Sequence, residues 1–228
     1  MSGCGSKSGK KVIKECVLAE DQSGTLSGRW PITPVPVALF TGAFSGSDEA
    51  AFSAAAAKWN SFYSSSKGFQ LINQGGTSGI PRPTNICSGS IVGGSTFSGS
   101  VTVYPVSENW PYGSEVIALT TTCPVPGNEL PTFTMAAMEI NQQNFFGDAP
   151  KQPDIESIAL HEFGHLVGLR HSCEGFEANG IPKCDSPSLN QAYLAAVMFP
   201  AVVFDSSGNG EVKRDLQQND MERANCLY

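Results

Sequence analysis

The chain has 228 residues, which is long enough for one domain with a buried core. Hydrophobic residues make up 40% of the chain and charged residues 15%, a composition that excludes a disordered or fibrous protein. The formal net charge of -7 argues against a nucleic-acid-binding protein, which usually carries a basic face. No apolar stretch approaches the roughly 20 residues of a membrane-spanning helix, so we expect no transmembrane segment.

The predicted strands lie on both sides of one helix and precede another. Residues 31–40 predict an extended segment, and its prolines confine it to an edge strand or to the start of a strand. Ser45 is a suitable helix cap, because acidic residues follow it and apolar residues then recur at helical spacing. Residues 73–99 are rich in Gly, Ser and Pro and predict a long surface excursion. Further strands are predicted at residues 68–72, 100–104, 115–121 and 133–140. We therefore expect an α+β fold, with a mixed sheet backed by helices.

The residues that suggest chemistry are concentrated in one later helix. Asp154 is suited to cap its start, and Gly168 is suited to end it in a left-handed conformation. His161 and His165 are four residues apart, so both imidazoles project from one helix face and can bind a single ion. After the glycine the chain turns back and brings His171 to the same ion. We predict that these three histidines are metal ligands and that the cofactor is one Zn2+ ion.

Glu162 follows the first predicted ligand and lies beside the ion without binding it. A carboxylate in this position can take a proton from a metal-bound water, so we predict that Glu162 is the catalytic residue. One alternative is a helix whose histidines only pack or cap, and the number of residues at fixed offsets counts against it. Another alternative is a zinc site without activity, and the intact glutamate counts against that one.

The segment HEFGHLVGLRH at residues 161–171 matches the pattern H-E-x-x-H-x-x-G-x-x-H and resembles the metzincin metalloproteases. Among them the chain is most similar to the matrixins, the matrix metalloproteases. Ser172 follows the third histidine as it commonly does there, and Met198, followed by Phe199 and a proline, resembles the residue of the methionine turn. Residues 215–228 resemble the matrixin C-terminal helix, although only Asp220 remains of its usual pair of aspartates.

This resemblance implies a metzincin or zincin-like fold. Its sheet would be twisted and mostly parallel with an antiparallel edge strand, followed by an active-site helix and a small C-terminal subdomain that ends in a helix. It also implies a zinc endopeptidase whose partners are protein or peptide substrates, bound in extended form along residues 115–121. Residues 198–204 would shape the pocket just past the scissile bond. Whether Val202, Val203 and Phe204 line that pocket or belong to the core stays open.

Two alternatives to this function remain. One is a catalytically silent module that binds extended peptides in the same cleft, and the other is a hydrolase with a non-protein substrate. In each case we expect a monomer that binds no nucleic acid.

Typical matrixins also carry a structural zinc and an Asp-rich calcium loop around the central strands. All three histidines of this sequence belong to the motif, so that second zinc site cannot exist in its usual form, and disulfides are the expected substitute. Residues 205–211 resemble a calcium loop only faintly, because Leu216 stands where the acidic twelfth ligand belongs. A polar turn is the preferred interpretation, and Ca2+ binding is an alternative without support.

Seven cysteines without a Cys-x-x-Cys pair indicate disulfides, and hence a secreted or extracellular protein, rather than a metal cluster. Six cysteines allow 15 pairings, so the sequence does not determine the connectivity. Proximity along the chain favours two pairs, the N-terminal segment and the last helix would then share a third, and Cys4 is left unpaired. The predicted pairs are Cys173 with Cys184, Cys87 with Cys123, and Cys16 with Cys226.

Cys4 lies in residues 1–29, which we predict to be an N-terminal tail or pro-like segment before a catalytic domain of residues 30–228. Three hypotheses for this cysteine stay open. It is a plain tail thiol, or a lipid anchor that makes the protein a surface-anchored lipoprotein, or, as in some matrixin pro-segments, a thiol that blocks the zinc. Whether residues 1–29 inhibit the domain is not determined by the sequence.

Overall fold

The computed structural model describes residues 16–88, 101–125, 130–176 and 178–228. Its five strands form one sheet. They are β1 (Val35–Phe40), β2 (Ile72–Ser78), β3 (Val101–Val106), β4 (Ala118–Val125) and β5 (Thr132–Asn141). Their spatial order is β2-β1-β3-β5-β4, with parallel pairing throughout except that the edge strand β4 runs antiparallel to β5. The fold is therefore α+β with a mostly parallel sheet and an antiparallel edge, as predicted.

Two long helices share one apolar core with this sheet. The helices are α1 (Gly46–Ser66), α2 (Ile155–Val167), α3 (Gln191–Ala195) and α4 (Gln218–Ala224), of which α1 and α2 are the long ones. Ser45 caps α1 as predicted, because its side chain accepts from the Asp48 N–H while the Asp48 carboxylate accepts from the Ser45 N–H. The fully buried Trp59 donates its indole N–H to the Leu160 carbonyl at 3.0 Å and so links α1 to α2. In the described part of the chain, no helix is long and apolar enough to cross a membrane.

Two strands begin later in the chain than the sequence predicts. β2 starts at Ile72, where the predicted strand ends, and continues to Ser78 through part of the predicted surface excursion. This glycine-containing segment forms a strand because β1 supplies its hydrogen-bonding partner, which local composition does not reveal. β4 likewise starts at Ala118 and extends to Val125.

The proline-rich segment at residues 31–40 behaves as the start of a strand, one of its two predicted outcomes. β1 lies between β2 and β3 and is therefore not an edge strand. Pro36 is its second residue, and pairing with β3 begins only at Val37. The proline nitrogen, which carries no hydrogen, thus lies outside the β1–β3 ladder.

The described part of the N-terminal segment packs against the rest of the domain. Gln22 and Thr25 are buried in a 3-10 helix of residues 20–25. The Gln22 side chain donates to the Ser172 carbonyl at 3.0 Å, and the Arg170 N–H donates to the Thr25 carbonyl at 2.7 Å. These contacts lie on both sides of His171 in the sequence, so the segment supports the chain that carries the third predicted ligand.

Three disulfides are present, and they have the predicted pairing. Each is expected to stabilise the fold by about 2–4 kcal/mol. They join Cys16 to Cys226, Cys87 to Cys123 and Cys173 to Cys184. Cys4 and the hypotheses attached to it lie outside the described residues.

Loops cover the face of the sheet opposite the helices. Glu139 of β5 has a side chain that is 1% exposed, and its carboxylate accepts from the Arg82 guanidinium and, at 2.8 Å, from the Tyr112 hydroxyl. The Cys87–Cys123 disulfide joins the loop that follows Arg82 to β4. A disulfide therefore links this covering loop to the sheet, as the sequence predicts, although it does so at the edge strand β4. An ion pair between the buried Glu139 and the partly exposed Arg82, which the sequence does not predict, adds a second link, to β5.

Candidate metal centre

The three predicted ligands converge at the end of α2. His161 and His165 lie on the helix, and His171 lies on the segment that follows it. One ligand atom from each imidazole can be chosen so that all three lie within 4.8 Å of one another. Among the described residues, no other group of three His, Cys, Asp or Glu side chains is arranged to hold a metal ion.

Two glycines make this convergence possible. Gly168 ends α2 in the left-handed conformation with φ of 118°, and a Cβ there would lie 2.0 Å from the Gly28 carbonyl oxygen. The chain can therefore reverse only with glycine at this position. At Gly164 a Cβ would lie 2.1 Å from the sulfur of Met198, the predicted methionine-turn residue, which is fully buried beneath α2.

Two of the imidazoles are held in the form that binds a metal. His161 donates from Nδ1 to the Val197 carbonyl at 2.7 Å, and His165 donates from Nδ1 to the Leu169 carbonyl at 2.8 Å. A carbonyl oxygen only accepts, so each neutral ring carries its proton on Nδ1 and keeps the Nε2 lone pair available. Burial lowers the pKa of His161 to about 3 and that of His165 well below its usual value, so both are neutral at pH 7. This donor set fits a zinc ion.

The third imidazole is oriented by a carboxylate instead of a carbonyl. His171 Nδ1 lies 3.2 Å from Oε1 of Glu174. The hydrogen bond with His171 lowers the pKa of Glu174, which keeps this carboxylate ionised at neutral pH. Glu174 is not among the site residues predicted from the sequence, although its position three residues after the last ligand is a signal that could have identified it.

Glu162, the predicted catalytic residue, lies beside the triad and is 4% exposed. Its Oε2 accepts a hydrogen bond of 2.7 Å from the hydroxyl of Thr120 on the edge strand β4. Burial raises the pKa of Glu162 to about 7. The sequence does not reveal the contact with Thr120, because 42 residues separate the two side chains and only the packing of α2 against β4 brings them together.

An open cleft of about 580 Å³ contains the triad and Glu162. Residues 115–119, which lead into β4 and include its first two residues, line this cleft. Val202 and Phe204 also line it, and Val202 packs against the core as well, whereas Val203 is 64% exposed and belongs to neither. The sequence leaves open whether these three residues line the pocket or belong to the core, and Val203 does neither.

The C-terminal helix α4 supports this cleft from below. Both oxygens of the buried Asp220 carboxylate accept backbone N–H groups, from Val197 at 2.8 Å and from Met198 at 3.1 Å. The buried Arg223 donates to the carbonyls of Arg170 at 3.0 Å and His171 at 3.4 Å. Burial lowers the pKa of Arg223 to about 10, so it stays charged at pH 7 and links α4 to the third ligand.

Asp205, the first residue of the faint calcium-loop resemblance, takes part in a turn. Its Oδ1 accepts from the backbone N–H groups of Ser207 at 2.8 Å and Asn209 at 2.9 Å. These contacts are those of a polar turn, the preferred interpretation of the sequence.

No known protein family and no curated protein sequence matches the chain at a significant level. The similarity to the matrixins therefore rests on the histidine motif, the methionine turn and the C-terminal segment.

Proposed function

We propose that the protein is a zinc-dependent endopeptidase of the metzincin type, most similar to the matrixins, that cleaves extended protein substrates outside the cell. One observation carries the proposal: three imidazoles converge beside the buried carboxyl of Glu162 in an open cleft. The three disulfides support an oxidising location.

In the proposed reaction, the metal ion and the protein side chains have separate roles. A Zn2+ ion held by His161, His165 and His171 would supply a Lewis acid and make a water molecule acidic near pH 7. Glu162 accepts a proton from the attacking water and passes it to the departing amine. A carboxyl whose pKa is raised to about 7 suits both transfers, and the hydroxyl of Thr120 holds it in position.

The cleft suits an extended peptide. Among the described strands, β4 pairs only with β5, so we expect its other edge to accept a substrate strand beside the triad. Val202 and Phe204 give the cleft an apolar surface, so we expect a substrate with an apolar side chain just past the scissile bond.

The test is cleavage of casein and of a peptide library by the zinc-loaded protein, with products identified by mass spectrometry. Glu162→Gln removes the proton acceptor but keeps the shape of the side chain, so we expect at least a 100-fold loss of activity with zinc still bound. Glu49→Gln, on the exposed start of α1, is the matched control and should leave the rate unchanged. A wild-type protein that binds zinc and peptides but cleaves none of them would instead be the catalytically silent peptide-binding module.

A further inference from the structure

The three predicted ligands are not held in the same way. His161 and His165 donate to backbone carbonyls, which remain in place whatever the side chains around them are. His171 depends on one replaceable side chain, Glu174, whose Oε1 lies 3.2 Å from its Nδ1. The side chain of His171 is also 28% exposed, so packing alone does not fix its ring.

The backbone of Glu174 is held by a small closed loop. Its N–H donates to the Pro182 carbonyl at 3.0 Å, and its carbonyl accepts from the Cys184 N–H at 2.8 Å. The preceding residue, Cys173, forms a disulfide with Cys184, 11 residues later. The position of the carboxylate is therefore set by this cross-linked loop and not by α2.

The chain on the other side of Glu174 is anchored as well. The Ser172 N–H donates to the Met198 carbonyl at 2.9 Å, and the Ser172 hydroxyl donates to the Tyr193 carbonyl at 2.8 Å. These contacts fix the backbone of the ligand segment, which leaves the rotation and tautomer of the His171 ring to be decided by its hydrogen-bond partner.

We propose that Glu174 is a positioning residue of the metal centre. Its carboxylate holds His171 with the proton on Nδ1 and so presents Nε2 to zinc, while the Cys173–Cys184 loop holds the carboxylate. The proposal rests on the zinc site of the proposed function. A carboxylate partner also makes an imidazole ligand more basic, and removing such a partner typically weakens metal binding 10- to 100-fold.

The first experiment measures zinc dissociation constants by competition with a chromogenic chelator. Glu174→Ala should bind zinc about 10- to 100-fold more weakly than the wild type. Glu174→Gln, which keeps an acceptor oxygen without the charge, should recover part of this loss. The matched control is Asp185→Ala, which removes an exposed carboxylate next to the same loop and should leave the affinity unchanged.

Co2+ substitution adds a spectroscopic signature of the ligand geometry. Glu174→Ala should change the visible absorption bands of the Co2+ protein, whereas the Asp185→Ala spectrum should match the wild type. Circular dichroism of the zinc-free variants should be that of the wild type. An unchanged zinc affinity and Co2+ spectrum in Glu174→Ala would overturn the proposal, and so would an equal loss in Asp185→Ala.

The role of the loop is tested by opening it with Cys173→Ser and Cys184→Ser together. If the disulfide acts through Glu174, the opened loop should weaken zinc binding in the wild-type background and add little in the Glu174→Ala background. Equal losses of zinc affinity in both backgrounds would show that the disulfide does not act through Glu174. A wild-type protein that binds zinc tightly but cleaves no peptide would refute the proposed protease and leave this proposal standing.

Discussion

The two faces of the sheet are stabilised in different ways. On the helix face, α1 and α2 bury a continuous apolar core, and the histidines are added to a helix that is already packed. On the opposite face, the described residues bury only a small apolar cluster, and a loop is held there by the Arg82–Glu139 ion pair and the Cys87–Cys123 disulfide. The helix face therefore holds the predicted metal ligands, but its stability comes from the apolar core and not from these ligands. The loop face depends on a few specific links and lies away from the triad.

If the two faces are stabilised independently, a substitution on the loop face should lower the stability without changing metal binding, and Arg82→Ala should have the largest effect. It leaves the Glu139 carboxylate, 1% exposed, buried without its cation, so we expect a loss of about 3–5 kcal/mol in the free energy of unfolding. Urea denaturation measures the loss, and the zinc affinity of the folded variant should be unchanged.

Two further variants serve as controls for the loss of stability in Arg82→Ala. Adding Glu139→Gln to Arg82→Ala should recover part of the stability, because the buried charge is then removed. Lys58→Ala breaks the exposed ion pair with Asp215 and should cost less than about 1 kcal/mol. If Arg82→Ala cost no more than Lys58→Ala, the link on the loop face would not matter for stability.

Removal of the Cys87–Cys123 disulfide by a double substitution to serine should have the next largest effect. The cross-link spans 36 residues and is expected to contribute about 2–4 kcal/mol, mainly by restricting the unfolded chain. Thermal unfolding should show a lower midpoint, with the same zinc stoichiometry as the wild type. A loss of zinc binding at temperatures where the variant is folded would show that the two faces are coupled.

The smallest effect is expected on the helix face, from Asp154→Asn at the start of α2. Burial by itself would raise the pKa of Asp154. Hydrogen bonds from Arg214 and Ser157 lower it by more than burial raises it, so the net shift is downward. A lowered pKa means that the ionised form stabilises the fold above the usual Asp pKa and that this contribution is lost as the pH falls through the folded-state value. Asparagine still caps the helix, so we expect a loss of about 1 kcal/mol or less at pH 7.

The pH dependence gives this variant its check. The difference in unfolding free energy between wild type and Asp154→Asn should shrink as the pH is lowered into the range where Asp154 protonates. A difference that stayed constant down to that range would contradict the role of the ionised carboxylate.

Some features that support the metal centre were predictable because they are local. The spacing of His161 and His165, the cap at Asp154 and the left-handed glycine at the end of α2 all follow from the geometry of one helix and its ends. The Cys173–Cys184 and Cys87–Cys123 disulfides also agree with proximity in the sequence, since short loops close most readily, whereas Cys16–Cys226 was predicted as the remaining pair and spans 210 residues.

Other features became visible only in the folded chain. The sequence does not indicate that Thr120 reaches Glu162, that Glu139 takes a cation on the loop face, or that a glycine-containing segment pairs with β1. Each depends on which strand lies beside which and in what register, and residues far apart in the chain decide that.

The sequence is thus sufficient to predict the convergence of two histidines and the turn that follows them, because a helix places side chains by residue count alone. The folded structure is needed to show how the third imidazole is held, which carboxylate faces it, and that Val202 and Phe204 line the cleft while Val203 is exposed. These details depend on loop closure and packing, where each side chain's environment is supplied by residues that are distant in the sequence.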